Sequence, residues 1–196
     1  MIMILLIPAI VLLALLLFFE KRENRNCMLP TKTVLSLLFI ATAISQTHFM
    51  QPYTIFILIG LLFCLGGDVF LALPQDRMFL FGLVSFLLGH ICYVIGFVCI
   101  AHPGNMTLIG IGVTMLLGAL IYTWLKPHLG TMKKPVIAYI LVISFMFIGA
   151  WSVLGMQQQP IMARLLIFAG AASFYISDIF VARDRFLKND FINRLL

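Results

Sequence analysis

Seven apolar stretches, separated by short charged or turn-forming segments, restrict this chain to very few folds. A helix needs roughly 20 apolar residues to cross the hydrocarbon core of a bilayer. Only 10% of the residues are charged, against about 25% in soluble domains. We therefore predict an all-α transmembrane helix bundle that forms a single domain over residues 1–196. The predicted spans are about 2–19, 33–50, 53–73, 78–100, 106–125, 135–154 and 160–182.

The distribution of Lys and Arg predicts the orientation of these spans. With seven crossings, twelve of the thirteen basic residues fall on one side, and Arg164 alone falls on the other. Basic residues concentrate on the cytoplasmic side of membrane proteins. We therefore expect a bacterial-type inner (plasma) membrane protein with its N-terminus outside. The basic segment after Arg183 either lies on the membrane surface or leads to an eighth span beyond Leu196.

Charge and cysteine content exclude several function classes. The formal charge of +6 is spread over short loops, so we expect membrane lipids as partners and no nucleic acid. Cys27, Cys64, Cys92 and Cys99 form no C-x-x-C pair, so neither a disulfide framework nor a structural metal is predicted. The chain also lacks the G-x-S-x-G, Walker A and G-x-G-x-x-G patterns.

A carboxylate recurs in matching apolar settings, in GDVFLAL (67–73) and SDIFVAR (177–183). Both spans run toward the cytoplasm. At 1.5 Å per residue, Asp68 and Asp178 lie about 6–8 Å inside the edge of the apolar layer, so we expect them to share a depth and a pocket. A carboxylate within a span costs at least about 2.5–3.5 kcal/mol and is a candidate for function. The alternative is that each one reaches the headgroups or bonds a neighbouring helix.

The fourth span carries a further set of polar candidates. Gly82, Gly89 and Gly96 recur every seven residues and predict a smooth stripe for helix packing. His90 and Tyr93 are three residues apart and share a face. His90 is interpreted either as a hydrogen-bonded packing residue or as one that orients substrate or handles protons.

Three more residues are candidates for binding substrate near the two aspartates. Ser177 is the small neighbour of Asp178. Tyr139 either reaches inward with its hydroxyl or is an interfacial aromatic residue. Lys32, like Arg77 and Lys133, is either a solvated loop charge or a group that holds a lipid phosphate.

These motifs together resemble the YhhN-type lysoplasmalogenases, a family of small polytopic membrane proteins. The matching pieces are LLFCLGGDVFLAL (61–73), FLFGLVSFLLGHICYVIGF (79–97), KPVIAYILVISFM (134–146) and GAASFYISDIFVARDRF (170–186). The resemblance implies hydrolysis of the vinyl ether of a lysoplasmalogen to a fatty aldehyde and glycerophospho-ethanolamine or glycerophospho-choline. It also implies that Asp68 and Asp178 are the catalytic pair.

Vinyl ether hydrolysis suits two carboxylates in an apolar site. Protonation of the β-carbon needs a carboxylic acid that is still protonated near neutral pH, which a low-dielectric site and a second carboxylate favour. The reaction requires no metal or organic cofactor, and the substrate is a lysophospholipid. The oligomeric state stays open. The alternative is a proton-coupled transporter or a lipid-binding bundle that uses the same aspartates. A transporter should have interrupted spans, for example at Gly66 and Gly67.

Overall fold

The computed structural model of the protein describes residues 2–22, 25–46, 51–73 and 75–187. All regular structure in these residues is helical, which confirms the predicted all-α class and its seven helices. Two single-turn 3₁₀ helices, Lys126–His128 and Gly130–Met132, join the fifth and sixth helices. The helices are α1 (Ile2–Lys21), α2 (Arg25–Gln46), α3 (Pro52–Ala72), α4 (Asp76–Ile100), α5 (Asn105–Leu125), α6 (Lys133–Leu154) and α7 (Ile161–Phe186).

Six of these helices, α2 to α7, are long and apolar enough to cross a membrane, and α1 holds a shorter apolar segment, Ile7–Phe19. A helix satisfies its own backbone hydrogen bonds, which the hydrocarbon cannot do. The protein is therefore an integral membrane protein.

The start of α2 differs from the sequence prediction. We expected the second span to begin at residue 33, but the helix begins at Arg25 and includes Pro30. Hydropathy marks where a helix becomes apolar, not where its hydrogen bonds begin. Pro30 lacks one backbone donor, and the hydroxyls of Thr31 and Thr33 donate to backbone carbonyls four residues earlier, at 2.7 and 2.8 Å. The predicted end of this span, residues 47–50, lies outside the described residues.

The chain divides into two compact units, one ending at Cys92 and the other beginning at Tyr93. The single-domain assignment therefore stays a prediction. In the first unit α1 packs on α2 and α2 packs on α3.

Small residues bring α3 and α4 together in the first unit. A Cβ on Gly67 would lie 2.5 Å from the Phe86 ring, and a Cβ on Gly89 would lie 3.0 Å from the carbonyl oxygen of Gly60. A Cβ on Gly82 would lie 2.9 Å from Leu71. Two glycines of the predicted stripe thus contact α3 closely.

In the second unit α6 packs against both α5 and α7. The connection from α5 to α6 is held by a buried cluster of Leu125, Leu129 and Val136. Ala182 and Phe186, near the end of α7, pack against the same cluster. This contact fixes the last turns of α7 beside the start of α6.

Arg164 has a structural partner at the other end of α6. Its Nη1 donates a hydrogen bond of 3.0 Å to the carbonyl oxygen of Leu154, the last residue of α6. The last carbonyls of a helix lack partners within the helix, and a cation is favourable there. Capping therefore accounts for the one basic residue that the charge pattern places apart from the others.

We expect Gly110→Ala to destabilise the protein and Gly112→Ala, in the same helix, not to. A Cβ on Gly110 would lie 2.5 Å from Trp151, whereas one on Gly112 would meet no atom within 4 Å. Overpacking costs about 1–3 kcal/mol, whereas Ala in place of an exposed helical Gly is favourable by up to about 1 kcal/mol. Thermal unfolding of both variants in one detergent measures the difference. Equal melting temperatures would contradict the close contact at Gly110.

Candidate functional site

Asp68 lies near the end of α3 and takes two partners from α2. The Nζ of Lys32 lies 3.2 Å from its Oδ1, and the hydroxyl of Ser36 donates to its Oδ2 at 2.7 Å. The side chains of Lys32 and Asp68 are 36% and 22% exposed. Each carboxylate oxygen of Asp68 therefore has its own donor, one of them a full positive charge.

The local sequence explains why Asp68 turns toward α2. Gly66 and Gly67 face α4, where a Cβ would lie 2.9 Å from the hydroxyl of Ser85 or 2.5 Å from the ring of Phe86. Successive helix residues are rotated by about 100°, so the residue after the two glycines points elsewhere. On α2, Lys32 and Ser36 are four residues apart and share a face.

The start of α2 at Arg25, before the predicted residue 33, affects the ion pair between Lys32 and Asp68. Because the helix begins at Arg25, Lys32 sits within regular helix rather than in a loop. Its position relative to Ser36 is therefore fixed by the backbone. The ion pair also lowers the cost of placing a carboxylate in an apolar segment, since paired charges are less unfavourable there than single ones. A role for Lys32 in holding a lipid phosphate stays a prediction.

Asp178 lies on α7 and is held by α6. The hydroxyl of Tyr139 donates to its Oδ2 at 2.7 Å. Tyr139 is buried, and Asp178 is half-buried. The alternative in which Tyr139 reaches inward, rather than acting as an interfacial aromatic, thus agrees with the structure. The cluster that packs Ala182 against the start of α6 lies one helical turn after Asp178 and brings the two helices together there.

The other predicted site residues differ in how deeply they are buried. His90, on α4, is fully buried. Tyr93, also on α4, and Ser177, on α7, are half-buried. Their roles in binding substrate stay predictions, as does the shared pocket for Asp68 and Asp178.

Two residues beside the aspartates were missed by reasoning from the sequence. Ser36 bonds Asp68 directly, and its only signal is its position four residues after Lys32. Tyr175 is buried on α7, three residues before Asp178 and on the same side of the helix. Its signal is the motif FYISD, in which an aromatic hydroxyl precedes the aspartate by one turn.

The site residues that the structure describes offer carboxylate, hydroxyl and ammonium groups. Within the described ranges, no group of three or more His, Cys, Asp or Glu side chains is placed to hold a metal ion. The arrangement can donate and accept protons, and it can stabilise a positive charge.

Comparison with known protein families identifies a match. The model of the YhhN family matches residues 26–196, which includes α2 from its second residue, α3 to α7 and all the site residues above. No curated protein and no solved structure matches the chain.

We expect Lys32 and Asp68 to be energetically coupled. Lys32→Met and Asp68→Asn should each lower the melting temperature, since each leaves a polar group without its partner. The double variant should be more stable than the sum of the two changes predicts, by about 0.5–3 kcal/mol for groups in direct contact. Thermal unfolding of the four proteins in one detergent measures this coupling.

Lys21→Met serves as the matched control, because Lys21 is an exposed lysine at the end of α1. Combined with Asp68→Asn, it should give additive changes. If the Lys32 pair is equally additive, the ion pair contributes nothing to folding.

Proposed function

The chain belongs to the YhhN family, the family of lysoplasmalogenases, and on this basis we propose that it hydrolyses the vinyl ether bond of lysoplasmalogens. The products are a fatty aldehyde and a glycerophospho-ethanolamine or glycerophospho-choline. The observation that carries the proposal is that both motif aspartates lie in apolar helices with donors bound to their carboxylates. The substrate is a single-chain phospholipid that reaches the protein from the membrane.

The reaction proceeds in three steps. A carboxylic acid gives its proton to the β-carbon of the vinyl ether, and the π electrons of the double bond form the new C–H bond. This leaves an oxocarbenium ion, to which water adds with loss of a proton to a base. The resulting hemiacetal collapses, so that the ether C–O bond on the aldehyde side breaks and the glycerol oxygen leaves as an alcohol. General acid–base catalysis contributes about 10²–10⁴-fold to such reactions.

The different partners of the two aspartates support different roles. Asp68 faces the ammonium of Lys32 and the hydroxyl of Ser36. We assign it the role of the base for the attacking water. Asp178 accepts a hydrogen bond at Oδ2 from the neutral hydroxyl of Tyr139. We assign it the role of the general acid.

We place this chemistry near the cytoplasmic side of the membrane, with the N-terminus outside. The support is the charge pattern, in which the lysines and arginines flanking the helix ends near both aspartates belong to the predicted cytoplasmic set. A site near that edge of the membrane suits the vinyl ether, which lies at the boundary between headgroup and chain.

The helices that carry the aspartates favour an enzyme over a transporter. Transporters commonly bind their ions where helices are interrupted. Here α3 runs unbroken through Gly66 and Gly67 to Ala72, and α7 runs unbroken through Asp178 to Phe186.

We expect Asp68→Asn and Asp178→Asn each to lower the release of aldehyde from a lysoplasmalogen by about 10²–10⁴-fold. Asn keeps the size of the side chain but neither donates an acid proton nor accepts one as a base. Asp184→Asn, a change of the same kind on α7, is the control and should retain activity. The assay uses purified protein in detergent, with size-exclusion chromatography to check folding. In D₂O the wild-type product should carry one deuterium on carbon 2 of the aldehyde.

A folded wild-type protein that releases no aldehyde from any lysoplasmalogen would overturn the proposal. So would full activity in either Asp68→Asn or Asp178→Asn.

We expect Tyr139→Phe to reduce kcat while leaving the protein folded. The change removes only the hydroxyl that donates to Asp178 at 2.7 Å. A hydrogen bond to a charged group contributes about 1.5–3 kcal/mol, so the loss should be roughly ten- to a hundredfold. Tyr53→Phe, which removes a tyrosine hydroxyl from the start of α3, is the comparison. Equal effects of the two changes would show that the bond to Asp178 has no special role.

A further inference from the structure

A groove between α5 and α6 has a volume of about 450 Å³. Its walls are almost entirely apolar, with Met115 and Ala119 on α5 and with Ile137, Leu141 and Ile148 on α6. Both helices lie within segments apolar enough to cross a membrane. A groove of this kind between two spans accepts hydrocarbon rather than a polar solute. We refer to it as the α5–α6 groove.

The length of the α5–α6 groove fits one lipid chain within one leaflet. On α6 the groove extends from Ile137 to Ile148, which at 1.5 Å per residue is about 16 Å. Half of the hydrocarbon core, the depth that a single chain occupies, is about 15 Å. Met115 and Ile148 lie at the end of the groove that is farther from the connection between the two helices.

The other end of the groove lies at the level of Tyr139 and Asp178. Ile137 and Ile140 line the groove. Tyr139, between them in sequence, turns to the buried side of α6 and bonds Asp178. Farther along, a Cβ on Gly118 would lie 3.5 Å from Ser144 Oγ and 3.9 Å from the hydroxyl oxygen of Tyr175. Gly118, which lines the groove, thus brings it close to Tyr175, which precedes Asp178 by one helical turn.

We propose that the α5–α6 groove holds the alkenyl chain of the substrate and that its length sets the preferred chain length. The proposal rests on the proposed lysoplasmalogenase function. It puts the vinyl ether end of the lipid at the level of Asp178 and the methyl end toward Met115. The occupant is one hydrocarbon chain, so a single-chain lysolipid fits and the second chain of a diacyl lipid has no place in the groove.

The first test measures kcat/KM for lysoplasmalogens of graded alkenyl chain length with purified full-length chain in detergent. Met115→Trp fills the far end and should reduce turnover of the longest chains only. Ala119→Trp fills the middle and should also reduce turnover of medium chains. Because a single methylene in an apolar pocket is worth about 10–200-fold, the ratio of long- to short-chain kcat/KM should fall by about tenfold or more.

Leu116→Trp and Leu120→Trp are the matched controls, since these residues neighbour the two test positions but do not line the groove. They are 62% and 57% exposed. The ratio should stay within about twofold of wild type, well below a single-methylene effect. If all four variants alter chain-length preference equally, or none does, the groove does not hold the chain.

The second test does not depend on turnover. A saturated-ether lysophospholipid with a diazirine near the end of its chain is photo-crosslinked to the wild-type protein, and the labelled peptides are identified by mass spectrometry. Label at residues 115–119 and 144–148, competed by unlabelled lysolipid, supports the groove. Label spread evenly over the apolar helix faces, with no competition, overturns it. Competed label without aldehyde release would sustain the groove and reject the lysoplasmalogenase reaction.

Discussion

A carboxylate within an apolar helix must find its donors inside the protein, because the hydrocarbon around it offers none. The cost of such a group, at least about 2.5–3.5 kcal/mol, falls when it is paired. Asp68 takes an ammonium and a hydroxyl from α2, and Asp178 takes a phenol from α6. Each aspartate thereby links the helix that carries it to the helix before it in the chain. The packing of α2 on α3 and of α6 on α7 depends on these polar contacts as well as on apolar surface.

Small residues decide which face of α3 is left for the carboxylate. Lipid tails are as apolar as leucine, so helices in a membrane associate through close contact and hydrogen bonds. Gly66 and Gly67 let α4 approach α3 closely, and Asp68 is then turned away from α4. In the second unit, the cluster around Leu125 and Leu129 holds the end of α7. Changes at the aspartates should therefore affect stability as well as chemistry.

Hydropathy alone predicted the seven helices. An apolar segment within a membrane must form its own backbone hydrogen bonds, and a helix does so. The two aspartates were also visible, since a carboxylate in an apolar segment is rare. Their partners were not, because a donor depends on which faces neighbouring helices present to each other. In the sequence alone, Ser36 and Tyr175 are indistinguishable from ordinary polar residues within apolar segments. The start of α2 at Arg25 was missed because its first turns are polar.

The two kinds of donor matter for the reaction we propose. Asp68 forms an ion pair with Lys32. In the proposed mechanism Asp178 is the acid, and its negative charge develops as it gives up the proton and the oxocarbenium ion forms. The hydroxyl of Tyr139, 2.7 Å away, is already aimed at the carboxylate that appears. A donor oriented in advance toward developing charge stabilises the transition state more than the ground state. The Tyr139 hydroxyl therefore suits the acid role proposed for Asp178, because its hydrogen bond strengthens as the proton leaves for the substrate.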